Sequence, residues 1–145
     1  MTYKKVLIAV DNNEDSIDVS KEGFKLAEQL QAEAALIFVV DKSRAVGDPD
    51  AGIMTDDILM VLKKEAENTM EQLIRLNNQP KDTLKFMPEG LPKDDILKTS
   101  EIWGADLIVT GIHGKSGFKL WAMGSTTQHI LLHSKIPVVV VPERK

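Results

Sequence analysis

The sequence predicts an α/β fold, a five-stranded parallel sheet with helices on both faces, and three observations carry that prediction. Four apolar runs of strand length, Lys5 to Val10, Ala34 to Val40, Ala105 to Thr110 and Ile136 to Val141, are nearly continuous rather than alternating, as strands buried on both faces are. Between them lie stretches in which apolar residues return every three or four positions, the pattern of amphipathic helices. The two signals alternate along the chain, which calls for parallel pairing through right-handed crossovers. In the doubly wound order 3-2-1-4-5 the first and fourth strands are neighbours. Ligands of such sheets bind outside the carboxyl ends of the strands, where the chain reverses its direction across the sheet.

The first strand ends at Asp11-Asn12-Asn13, and Asp15 or Ser16 is the expected N-cap of a helix carrying Ile17, Phe24, Ala27 and Leu30 towards the sheet. The second strand closes on another aspartate, Asp41. Lys42 to Gly52 holds two glycines, one proline and two aspartates, so it reads as a surface loop and the segment expected to move most. From Thr55 the spacing of Leu59, Leu62, Ala66, Met70 and Leu73 predicts a long helix ending near Asn77 to Pro80. Leu84 and Phe86 fit a short third strand. Glu89-Gly90-Leu91-Pro92 reads as a turn and helix start, with Pro92 near the first helical position and Asp94 and Asp95 favourable to the helix dipole. That helix carries Ile96, Leu97 and Ile102 to Trp103-Gly104, before the fourth strand. A glycine loop, a short helix and the valine strand complete the pattern. With no repeat or low-complexity tract, 145 residues are expected to form one domain over residues 1–145.

The chain is organised around Ile108 to Thr127, a strand, a loop holding Gly111, Gly114 and Gly117, and a helix start at Gly124-Ser125-Thr126-Thr127. Glycines let a ligand approach the main chain without a Cβ in the way. Ser125 and the threonines after it are N-cap candidates, and a helix N-terminus offers free N–H groups and partial positive charge to an anion such as phosphate. A Walker A loop needs four residues between its glycines and a helix at its lysine; here two separate Gly111 from Gly114, and Phe118 to Met123 precede any cap. A Rossmann glycine fingerprint would follow the first strand, where no such spacing occurs. Lys115 and Lys119 could neutralise phosphates or simply be solvated, and a neutral His113 could donate to one. Asp11 has two readings, a carboxylate accepting hydrogen bonds from a ribose or an Asx-turn residue shaping the strand exit.

The spacing Gly111-x2-Gly114-x9-Gly124-Ser125 resembles the nucleotide-binding signature of the universal stress protein family, in both loop lengths and in the terminal hydroxyl. The likeness runs from Val10-Asp11 to the terminal valine strand. It implies a Rossmann-like, adenine nucleotide alpha hydrolase-like fold and a regulatory protein of the stress response that binds ATP with Mg2+ or Mn2+. It further implies that Asp11 holds the ribose, that the backbone of Val39 contacts adenine, and that Gly111, Gly114, Gly124, Ser125 and Thr126 meet phosphates and ribose. Departures are Asn12-Asn13 where Gly-Ser is common, Ile112 where a small hydroxyl residue is usual, and Thr126 where valine is frequent.

The order 3-2-1-4-5 leaves the last strand at a sheet edge, with four consecutive valines and Pro137 only at its start, so an antiparallel homodimer through Val138 to Val141 is expected, as the resemblance also implies. A net charge of −4 argues against nucleic acid and anionic membranes. No run is long enough to span a bilayer, and Met1-Thr-Tyr-Lys-Lys enters a strand pattern rather than a signal peptide. The absence of cysteine excludes thiol chemistry and suits a cytoplasmic protein. His129 and His133 stand four apart, a zinc-chelating spacing, yet no third ligand is evident and a solvated helix face is the better reading. Trp103 and Trp121 read as packing or interface residues rather than a base-stacking platform. Two other functions compete with nucleotide-dependent regulation through a partner protein the sequence does not identify. They are a nucleotide phosphoanhydride hydrolase, expected to be slow because the loop carries no carboxylate, and a ligand-free dimerisation module, which would lack the glycine signature.

Overall fold

A computed structural model describes residues 2–112 and 123–143. In chain order the elements are β1 (Lys5–Ala9), α1 (Asp15–Leu30), β2 (Glu33–Ile37), β3 (Val40–Asp41), α2 (Thr55–Leu76), β4 (Leu84–Phe86), β5 (Glu89–Gly90), α3 (Pro92–Trp103), β6 (Leu107–Gly111), α4 (Ser125–His133) and β7 (Val138–Val141). Five strands form one sheet in the order β4-β2-β1-β6-β7, every pair parallel. This is the predicted order, with β1 and β6 side by side.

The apolar runs are explained by what lies on each face. Val6, Ile8, Val10, Leu36, Phe38, Leu107 and Val109 pack with Val19, Phe24 and Ala27 of α1 and Ala66, Met70, Leu73 and Ile74 of α2. Leu7, Ala9, Ala35, Ile37 and Ile108 point the other way, against Ile96 of α3 and Ile130 of α4. Alternate side chains thus face opposite layers, and since both layers are dry, both sets must be apolar. Gly23 lets α1 lie close to β1, because a Cβ there would come within 2.7 Å of the buried Ile8 side chain. Gly104 ends α3 at φ +79, a left-handed conformation that favours glycine.

Several boundaries differ from the sequence reading. The second strand is broken at Phe38-Val39, after the last backbone bond to the first strand segment, Val10 N–H to Ile37 C=O at 3.0 Å. Beyond it the chain pairs on one side only: Phe38 donates to Phe86 C=O, Val40 to Pro88 C=O, and β3 pairs with β5. Glu89-Gly90 is therefore a short strand rather than a turn. The fourth strand starts at Leu107 and the fifth at Val138, each two residues later than expected. Lys42 to Gly52 contains two short 3-10 turns, Lys42–Arg44 and Pro49–Ala51, and a bridge between Asp48 and Ile53.

Both expected side-chain caps are absent. α1 starts at Asp15 with Glu14 at its N-cap, and α4 starts at Ser125 with Gly124 at its N-cap, neither with a side-chain cap bond. Ser16 and Thr127 instead lie inside the first turns and bond to the strand exits described below. Trp103 packs edge-on against Phe86 with centroids 5.7 Å apart, under the Lys5 ammonium at 5.4 Å. Trp121 lies outside the described residues. No described helix is long and apolar enough to cross a membrane.

Candidate nucleotide site

The carboxyl ends of β1, β2 and β6 and the first turns of α1, α3 and α4 surround a cavity of about 260 Å3. Its position follows from the sheet order, because the crossovers on either side of the β1/β6 seam go to opposite faces and leave a crevice at the strand ends. Ala9, Asp11, Val39, Thr110, Gly111, Ser125, Thr126 and Thr127 line it, with Asp15 and Ser16 of α1, Asp41 of β3 and the Leu91-Pro92-Lys93 entry to α3.

Asp11 follows β1 and is held in an Asx turn. Its Oδ1 accepts from Asn13 N–H at 2.8 Å and from Ser16 Oγ at 3.2 Å, while Ser16 Oγ accepts from Asp11 N–H at 2.8 Å. The turn reading is thereby realised, and Asp11 also lines the cavity. Val39 sits in the break after β2, and neither its N–H nor its C=O hydrogen-bonds to a described residue. A residue at a strand break that lines a cavity with its backbone unpaired can meet the donor and acceptor edge of a planar base.

Gly111 ends β6, and its C=O accepts from Thr127 Oγ1 at 2.7 Å. Thr127 is 2% exposed, so this bond locks the first turn of α4 to the end of the central strand. Gly124 N–H donates to Ile112 C=O at 2.9 Å, bringing the two stems of the glycine loop together. The first helical donor of α4 with a backbone acceptor is Gln128, bonded to Gly124 C=O; the N–H groups of Ser125, Thr126 and Thr127 bond to no described residue. Three orphan donors and the positive end of the helix dipole thus lie at the cavity wall, which suits an anion.

Of the sequence-selected residues, Asp11, Val39, Gly111, Ser125 and Thr126 converge on the cavity, and Gly124 adjoins it as the cap of α4. His113, Gly114 and Lys115 lie outside the described residues, as does Lys119. Lining residues that were not selected include Asp15, Ser16, Asp41 and Lys93. Their common signal is position, since each falls within a few residues of a strand's carboxyl end. His129 stacks on His133 with centroids 4.2 Å apart and approaches Asp94 at 3.6 Å, but among the described residues no three metal-ligating side chains are disposed to hold an ion.

The described lining residues include three aspartates, Asp11, Asp15 and Asp41, and one lysine, Lys93. Hard oxygen ligands of this kind suit Mg2+, which commonly takes one or two carboxylates and completes its shell with phosphate oxygens and water.

Residues 2–142 match the model of the Universal stress protein family. The chain is 31% identical over 144 residues to a universal stress protein of Methanocaldococcus jannaschii, an alignment covering 99% of this chain and 84% of the other. The structure of universal stress protein UspA from Lactobacillus plantarum superposes with a TM-score of 0.82 at 25% identity, over 97% of this chain and 99% of that one. Two structures of lower identity share the fold: a universal stress protein in complex with cAMP (18%, TM-score 0.65, 98% of each chain) and one from Archaeoglobus fulgidus in complex with dAMP (20%, TM-score 0.61, 97% of this chain and 98% of the other). With fold, crevice and sequence in agreement along the chain, this protein belongs to the universal stress protein family.

Proposed function

We propose that the protein binds ATP in the cavity at the β1/β6 seam, with a divalent cation on the phosphates, and acts as a nucleotide-dependent regulator of the stress response. The observation that carries this reading is the convergence on one cavity of Asp11, the unpaired backbone of Val39, and the orphan N–H groups that open α4. These match the three parts of a nucleotide in kind: an acceptor for ribose hydroxyls, a main-chain edge for adenine, and donors for phosphate. The cAMP and dAMP complexes of related folds support an adenine nucleotide as the ligand class. Gly114, His113 and Lys115 are proposed as further phosphate contacts, and Mg2+ or Mn2+ as the cation, held mainly by phosphate oxygens.

The thermal midpoint tests this. ATP with Mg2+ at a hundredfold its dissociation constant should stabilise by about 2.7 kcal/mol, which for a chain of this size raises the midpoint by roughly 5–10 °C. Gly124 has φ −64, open to any residue, so Gly124→Val should leave the backbone unstrained and abolish the shift. A shift of equal size in Gly124→Val would place the phosphates elsewhere.

One alternative is hydrolysis of the bound nucleotide, for which the acidic residues lining the cavity are the only motive. We expect turnover far below the order of 10 per second typical of enzymes. Phosphate release at that ordinary rate, lost in Asp11→Ala, would make the protein a hydrolase.

A further inference from the structure

We propose that Ser16 is a positioning residue for Asp11 and thereby sets the preference of the cavity for an intact ribose, an inference that rests on the nucleotide-binding reading above. A carboxylate accepts at both oxygens. In Asp11, Oδ1 already holds two donors, Asn13 N–H at 2.8 Å and Ser16 Oγ at 3.2 Å. Oδ2 bonds to no described residue, which leaves it as the oxygen available to a ligand in the cavity that Asp11 lines. The Ser16 hydroxyl also accepts from Asp11 N–H at 2.8 Å, so a single side chain fixes both the backbone and the carboxylate of Asp11.

Ser16 is only 5% exposed and lies in the first turn of α1, so its own position is set by the helix. Asn12, which follows Asp11, is fastened to α2: its amide donates to Glu65 Oε1, and its Oδ1 accepts from Thr69 Oγ1 at 3.0 Å. The turn is therefore pinned between two helices, and the Asp11 carboxylate cannot rotate without giving up a part-buried hydrogen bond. A fixed carboxylate is a selective partner. It repels phosphate, accepts from a sugar hydroxyl, and loses little conformational freedom on binding.

The test is to measure dissociation constants for ATP, 2′-deoxy-ATP and 3′-deoxy-ATP with Mg2+ in wild type, Ser16→Ala and Ser16→Cys. Removing a hydrogen bond to a charged acceptor costs on the order of tenfold in affinity. Wild type should therefore prefer ATP over at least one deoxy analogue by about tenfold. In Ser16→Ala that ratio should shrink to about threefold or less. Ser16→Cys, similar in volume and a weaker donor, should fall between, and it carries the test if the alanine variant does not fold. A purely structural serine would weaken all three ligands by one factor and leave the ratio alone; that result overturns the proposal, as does a wild type that does not distinguish the three. Failure of every nucleotide to bind wild type would instead overturn the nucleotide reading itself.

Discussion

The residues with most influence on the site are hydroxyls that turn inward. Thr127 could have capped α4; its Oγ1 instead donates to Gly111 C=O, and the helix begins one residue after Gly124 with its first N–H groups unclaimed by any described acceptor. Ser16 makes the corresponding choice at α1, bonding to Asp11. In both places a side chain that would have satisfied helix donors holds a strand exit in position. Thr127→Val, equal in shape and lacking the donor, should cost about 1–2 kcal/mol in urea unfolding and weaken nucleotide affinity through the loosened first turn of α4. A variant as stable as wild type would show that the bond at 2.7 Å contributes no net stability.

At the scale of elements, β7 is the feature still to be accounted for. Among the described residues it pairs only with β6, and Val139 on it is 37% exposed. An apolar edge strand without charge or bulge invites pairing with another chain. We propose that two copies join antiparallel through Val138 to Val141, a closed isologous arrangement. Val139→Lys should convert the dimer to a monomer in sedimentation at micromolar concentration, and a wild type that sediments as a monomer would rule the interface out. The five strands of the main sheet, the helices and their order were legible in the sequence because burial on two faces and helical periodicity leave distinct patterns, as Val6 to Val10 and Leu59 to Leu73 show. The break at Phe38-Val39 was not, because it depends on which neighbour remains once β1 has ended, a long-range fact. The caps misled for a related reason: Ser16 and Thr127 are good cap residues locally, and tertiary partners outcompeted that role.

For the whole molecule, the place of the cavity follows from topology. Sheet order brings the ends of β1 and β6 together, and the first turns of α1, α3 and α4 surround the same cavity. The glycine spacing could point to Gly111, Gly124, Ser125 and Thr126 because a loop that approaches a ligand restricts residue type. Asp15, Asp41 and Lys93 could not be singled out, since a charged residue near a strand end looks the same in sequence whether it faces the cavity or solvent. The most direct test of the nucleotide reading is calorimetric titration of Mg2+-ATP into wild type and Asp11→Ala. Saturable binding approaching one nucleotide per chain, weakened on the order of tenfold or more in Asp11→Ala, is the predicted result. No saturable binding by wild type at millimolar ATP would contradict it.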